Sequence, residues 1–270
     1  MRTRDVQRYE HVGSAFTENP AARVILMTAT LSPPQTAVMR SDPSIRIRDY
    51  CEAMSFYLTL PSEQFDRIIL ADNSCSDLMP LLEIVKLENH SKRVELLSFQ
   101  ANDHNPSFGK AYGEFRLLDK ALEVSSCIRP NDHVWKTTGR LQCLNISNLD
   151  MTISLDYCFA CDLYNLPFIR TGRWNNQGQM DLRLFRFKPD AYDRWLRGIY
   201  RDNSDSFNEI TLYNAMVSAS ESIPVCPRFP IQPIISGISG RTQRNYLSTT
   251  QRFKNNIRSV TRRIAPWLWL

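Results

Sequence analysis

"RIILADNSCSD", residues 67–77, decides the fold. Ile68, Ile69, Leu70 and Ala71 run straight into Asp72, Asn73 and Ser74, residue types that bend a chain and offer oxygen ligands. A short apolar run ended by turn formers reads as a strand buried on both faces. Asp72 then stands where the strand stops. It either serves a pocket or caps the following helix, a task Ser76 or Asp77 can share.

Upstream, "RVILMTATL" from Arg23 is a second such strand, closed by Pro33 and Pro34. Between the two, Ile47, Tyr50, Met54, Tyr57 and Leu58 recur at helical spacing until Pro61. Strand, helix, strand is a βαβ unit, which implies parallel pairing with a right-handed crossover. Downstream follow a helix in "DLMPLLEIVKLEN", a strand in "RVELLSF", a helix opened by Gly109 in "SFGKAYGEFRLLDKALEVS", and a strand in "HVWKTTGRLQCLNI". This alternation defines an α/β fold with a mainly parallel central sheet flanked by helices. Ligands of such sheets gather beyond the carboxyl ends of the strands, which is where Asp72 falls.

The second half is less regular. "DYCFACDLYNLPFIRTGR" and "MDLRLFRFKP" read as strands, "DAYDRWLRGIY" and "FNEITLYNAMVSA" as helices. A Pro-rich loop, "IPVCPRFPIQPIISGISG", leads to a basic tail. The expected organisation is a poorly ordered lead-in at 1–22, a first half at 23–149, a mixed second half at 150–240 and the tail at 241–270.

Charge is unevenly spread. After Glu221 there is no Asp or Glu but eight Lys and Arg, so 25 of the 33 bases face all 28 acids in residues 1–221. In the tail Phe253, Ile257, Val260 and Ile264 form one helical stripe among Arg252, Lys254, Arg258, Arg262 and Arg263, before a terminal "PWLWL". That combination suits a helix lying on an anionic membrane surface through residues 252–270, or one packed back on the domain. Nucleic acid is not expected as a partner, because no platform of stacking aromatics accompanies the charge. No apolar run reaches the roughly 20 residues a membrane span needs, and the first residues do not read as a secretory leader. A cytoplasmic protein, peripheral on the inner face of a membrane, is the expectation. The seven cysteines fit a reducing setting, and the Cys158-x2-Cys161 pair lacks a second pair to complete a zinc site.

The order of elements over residues 23–149 resembles the nucleotide-sugar-binding half of GT-A glycosyltransferases. Here "LADNSCSD" falls where that family carries an acidic turn, and "NDHNPSFGKAYGEFRLLDKAL" where it carries a Gly-opened helix. The segment Lys136-Thr137-Thr138-Gly139-Arg140 is similar to bacterial surface-polysaccharide glycosyltransferases with a Lys-x-x-Gly-Arg sequence, and it replaces the Asp-x-Asp that usually holds a divalent cation. The resemblance implies transfer of a sugar from a nucleoside diphosphate donor, UDP favoured over GDP, to a glycan or lipid-linked acceptor. It also implies that Asp72 accepts a hydrogen bond from base or ribose, and that Thr28 or Thr30 lines the base pocket.

Without the usual metal ligands, charge can be balanced by cations. Alternate strand residues share a face, so Lys136, Thr138 and Arg140 are expected to hold the diphosphate together, with no bound metal required. Magnesium or manganese is the alternative. Lys110, in the first turn of the Gly109 helix, adds charge where free amides suit phosphate; Glu114 either touches the sugar or pairs with Lys110. Asp181 and Glu209 are the candidate catalytic bases, with Asp162 a third. His133 and His104 lie close to these segments without forming a catalytic arrangement. The competing functions are a nucleotidyltransferase, for which "TATLSPPQT" lacks a Gly- and basic-rich loop, and a non-catalytic glycan- or nucleic-acid-binding protein on the same scaffold.

Overall fold

The computed structural model describes residues 6–34, 38–165, 178–202, 207–240 and 242–265. Its strands are β1 (Gln7–Val12), β2 (Arg23–Ala29), β3 (Phe65–Asp72), β4 (Arg93–Ser98), β5 (Val134–Thr138), β6 (Gln142–Cys143), β7 (Phe159–Ala160), β8 (Leu163–Tyr164), β9 (Gln179–Met180), β10 (Leu184–Phe187), β11 (Val225–Cys226) and β12 (Ile235–Ser236). The α-helices are α1 (Pro43–Leu58), α2 (Met79–Leu87), α3 (Gly109–Val124), α4 (Ile146–Met151), α5 (Pro189–Trp195), α6 (Glu209–Ser220) and α7 (Thr249–Ile264). Eight strands form one sheet in the order β1-β4-β3-β2-β5-β10-β7-β11. Its centre, β4-β3-β2-β5, is parallel, while β1 and β10 join antiparallel. The α/β class expected from the sequence is the class observed.

Both faces of the centre are covered, which is why the middles of β2 and β3, residues 24–27 and 68–71, are continuously apolar rather than alternating. Ile25, Met27, Tyr50, Tyr57, Leu81 and Trp135 pack on one side, and Val24, Leu26, Phe115, Leu118, Phe185 and Tyr192 on the other.

Two elements differ from expectation. β1 occupies part of the supposed lead-in. Its side chains are exposed or half-buried, so it carries no apolar alternation; it forms because the edge of β4 offers unpaired backbone groups, and Arg8 pairs with the buried Glu95. The long strand expected over 133–146 is cut to β5, because the chain turns at Gly139 and Arg140. A Cβ on Gly139 would sit 2.8 Å from the Thr28 carbonyl, so a bare backbone is needed for the chain to close against β2.

Ion pairs seal the amino edge of the parallel strands. Arg67 forks onto Asp132 at 2.7 and 2.8 Å and touches Asp66 at 3.1 Å. Asp150 accepts from Trp135 Nε1 at 2.9 Å, Gln64 Nε2 at 3.0 Å and Arg23 Nε at 3.0 Å, with Arg186 at 3.6 Å. Ligands of open α/β sheets gather at the opposite, carboxyl edge.

His133 precedes β5 and therefore lies at the sealed amino edge, away from the carboxyl edge near which it was expected. Burial, then the nearby Arg186, Lys188 and Arg23, push its pKa down to about 4. Because the folded pKa lies below the unfolded value, the unfolded chain binds a proton between about pH 6.5 and 4 that the folded chain does not. Stability from this group is complete above that window and lost as pH falls through it. Urea unfolding of His133→Asn is expected to show a shallower acid slope than wild type over the same window, and equal slopes would disprove the assignment.

Candidate functional site

The strand order places a switch point between β2 and β5, since the chain winds outward from β2 through β3 and β4 and then returns to β2's other side. Crevices at such points take ligands in open α/β sheets. Thr28 and Thr138 lie side by side there as register partners of the β2–β5 ladder. Thr28 Oγ1 lies 3.2 Å from Glu114 Oε1, which α3 lowers onto the sheet. Lys110, one turn earlier on that helix, is exposed above the same edge.

Lys136 does not reach the surface here. Its side chain is wholly buried and its ammonium is bonded to Glu114 and to the Leu182 carbonyl, so its charge is already neutralised. Nor does Asp72. Its carboxylate is buried and accepts from Leu31 N at 2.8 Å, Ser74 Oγ at 2.7 Å, and Ser74 N, Ser76 N and Ser98 Oγ at 3.1 Å each. The acid ties the turns after β2 and β3 together and holds Cys75 at φ 52°, left-handed backbone that a side chain rarely adopts. Thr30 serves the same turns, donating from Oγ1 to Asn73 Oδ1 at 2.8 Å and accepting Arg46 at its carbonyl.

Arg140 is separated from both. It lies in the turn after β5, half-buried, with Nε donating to Ile238 O at 3.3 Å and its guanidinium against Gly240. Lys136 and Arg140, expected to hold a diphosphate together, therefore do not converge, and Asp72 lies with neither. Thr28 and Lys136 both reach Glu114, while Arg140 lies apart from them against Ile238 and Gly240.

A second cluster was not foreseen as a unit. β8 and β9 pair antiparallel, with Asp162 just before the first and Asp181 just after the second. Tyr164 OH donates to Asp162 at 3.1 Å and lies 3.3 Å from Asp181. Arg183 clasps Asp181 and stacks 5.1 Å over Tyr246, while Arg258 lies 5.0 Å over Tyr164. Burial alone would raise the Asp181 pKa, but the charge and hydrogen bonds of Arg183 hold it below the usual carboxylate value. A carboxylate so held is a poor general base. Asp162-x-Tyr164 and Asp181-x-Arg183 show strand alternation in the sequence, the one local signal of this cluster; its union with Tyr246 and Arg258 is long-range.

The cluster lines a cavity of about 20 Å³, room for about one water molecule, against roughly 300–1,000 Å³ for a small-molecule pocket. Glu209, the other candidate base, is an exposed residue in the first turn of α6, where Asn208 caps the helix and an acid complements its dipole. Residues 170–177 and the terminal "PWLWL" lie outside the described residues.

At the carboxyl edge of β5 the side chains are hydroxylic and cationic, and the adjoining carboxylate, Glu114, is taken by Lys136. That set does not fit a protein-held divalent cation, and among the described residues no three His, Cys, Asp or Glu gather into a metal-holding group. Cys161 is buried and Cys158 half-buried, and both are free thiols.

No family model matches this chain, and no curated protein matches it. Solved structures of similar shape include the inositol-1-phosphate CTP transferase of T. maritima (12% identity, TM-score 0.47, 88% of this chain and 97% of that one). Others are a 2-C-methyl-D-erythritol 4-phosphate cytidylyltransferase of Francisella tularensis (11%, 0.43, 88% and 100%) and a galactosyltransferase with donor and acceptor sugar analogues (10%, 0.42, 71% and 69%). These likenesses are too distant to assign an activity. The fold class rests on the strand order itself.

Proposed function

We propose that the protein is a transferase that uses a nucleotide-activated donor, and specifically a glycosyltransferase that moves a sugar from a nucleoside diphosphate sugar, UDP preferred, to a glycan or lipid-linked acceptor of surface polysaccharide. The observation that carries this reading is the switch point between β2 and β5, where Thr28 and Thr138 pair at the carboxyl ends of the strands and Glu114 lies against Thr28. In this reading the threonine hydroxyls meet the donor, and Arg140 and Lys110 face its diphosphate in place of Lys136. Transfer proceeds without a protein-held metal, and the acceptor approaches from the side of β8 and β9.

The second reading is a nucleotidyltransferase on the same sheet. Two bases do reach the loop after β2, but Arg46 is bonded to the Thr30 and Arg40 carbonyls and Arg40 to Asp49. Neither is left to cradle a triphosphate, which favours the sugar donor.

A panel of nucleotide sugars, and separately nucleoside triphosphates with sugar phosphates, distinguishes the two by thermal stabilisation and product. Release of nucleoside diphosphate supports the first reading, release of pyrophosphate the second, and no response to any donor leaves a binding protein. Activity abolished by chelator would defeat the metal-free mechanism. Arg140→Ala is expected to weaken diphosphate binding about tenfold or more while leaving nucleoside binding unchanged; equal losses would remove Arg140 from the diphosphate.

A further inference from the structure

The last helix is mounted with its polar face inward. Arg262 is buried and donates to Asp162 at 2.5 Å, to the Phe229 carbonyl at 2.7 Å and to Gln232 Oε1 at 3.0 Å. Arg258, Gln251 and Asn255 also face the body of the protein. An amphipathic helix of a globular protein ordinarily does the reverse. As a result Phe253, Ile257, Val260 and Ile264 point outward, 65, 46, 55 and 72% exposed.

At about 100° per residue these four side chains occupy a stripe roughly 60° wide. Arg252 and Arg263 flank it on one side and Lys254 on the other, each about 90–110° from its centre, and all three are exposed. Apolar ridge below, cations at its shoulders and no acid after Glu221 is the arrangement that lets a helix sink to the level of lipid headgroups. Pairing with a second copy would bring these like charges together along both flanks, which opposes a dimer through this face.

We propose that the outer face of α7 docks on an anionic phospholipid bilayer, with Phe253, Ile257, Val260 and Ile264 entering the apolar layer and Arg252, Lys254 and Arg263 meeting the phosphates. The inner face, latched through Arg262 and Asp162, carries the rest of the protein on the helix. This inference stands apart from the transferase reading, and either can fail without the other.

Sedimentation of the full-length protein with phosphatidylglycerol–phosphatidylcholine vesicles, compared with pure phosphatidylcholine vesicles, tests it. Binding is expected to the anionic vesicles and to fall with salt. The pair Phe253→Ser with Ile257→Ser is expected to weaken it at least tenfold with an unchanged melting temperature, because neither side chain is buried in the fold. Neutralising Arg252, Lys254 and Arg263 to Gln is expected to weaken it about a hundredfold, from about 1 kcal/mol per charge. Equal binding to both vesicle types, no binding, or full binding by the serine pair would each overturn the proposal. So would a solution dimer that the serine pair dissolves in the absence of any vesicle binding, which would assign the stripe to a second copy.

Discussion

Asp72→Ala is expected to cost about 3–5 kcal/mol of stability, because the substitution strands the backbone N–H groups of Leu31, Ser74 and Ser76 and the hydroxyls of Ser74 and Ser98 at a wholly buried position. For a chain of this size that corresponds to a fall of roughly 10 °C in melting temperature. Asn should not rescue it. Either orientation of the amide turns an NH2 toward groups that are themselves donors. A residue that merely held a nucleotide would behave otherwise: its removal would leave the melting temperature in place and abolish donor binding. Calorimetry beside donor titration therefore separates the structural acid from the ligand-binding one, and an unchanged melting temperature would restore Asp72 to the pocket.

Asp162→Ala is expected to have an effect of similar size by a different route. Both partners of the Asp162–Arg262 pair are about 2% exposed, and removing one leaves the other charged and buried, which typically costs about 3–5 kcal/mol. Arg262→Met should be milder than Asp162→Ala, since it removes a buried cation and leaves Asp162 with the Tyr164 hydroxyl and the Phe229 N–H. In Asp162→Ala the last helix should also detach first, visible as early loss of amide protection over 249–264. Uniform protection with an unchanged unfolding midpoint would mean that the ion pair does not anchor α7.

Much of the sheet was legible because its elements announce themselves locally. The runs read at 23–31 and 67–72 fall on β2 and β3, and the helical spacings ending at Leu58 and starting at Gly109 fall on α1 and α3. β1 was not legible, since a strand that only covers an edge needs no apolar face. The turn at Gly139 depends on how near β2 passes, a distance no local pattern encodes.

The site was less legible. Alternation implied that Lys136 and Thr138 share a face, but not that Glu114, brought down by a helix 22 residues earlier in the chain, would neutralise the lysine. Asp72 was read at the right edge of the sheet and given the wrong partner. Whether a strand-end acid faces a ligand or its own turn depends on which donors the neighbouring loops present.

The sequence by itself determined the α/β class, the parallel centre and the basic, acid-free tail, because apolar periodicity and charge are properties of short stretches. Only the tertiary structure decided which charges are spent internally and which way α7 faces. Those outcomes depend on pairs such as Lys136 with Glu114 and Arg262 with Asp162, whose members meet only once the chain has folded, and a charge buried against its counter-ion is no longer available to a ligand.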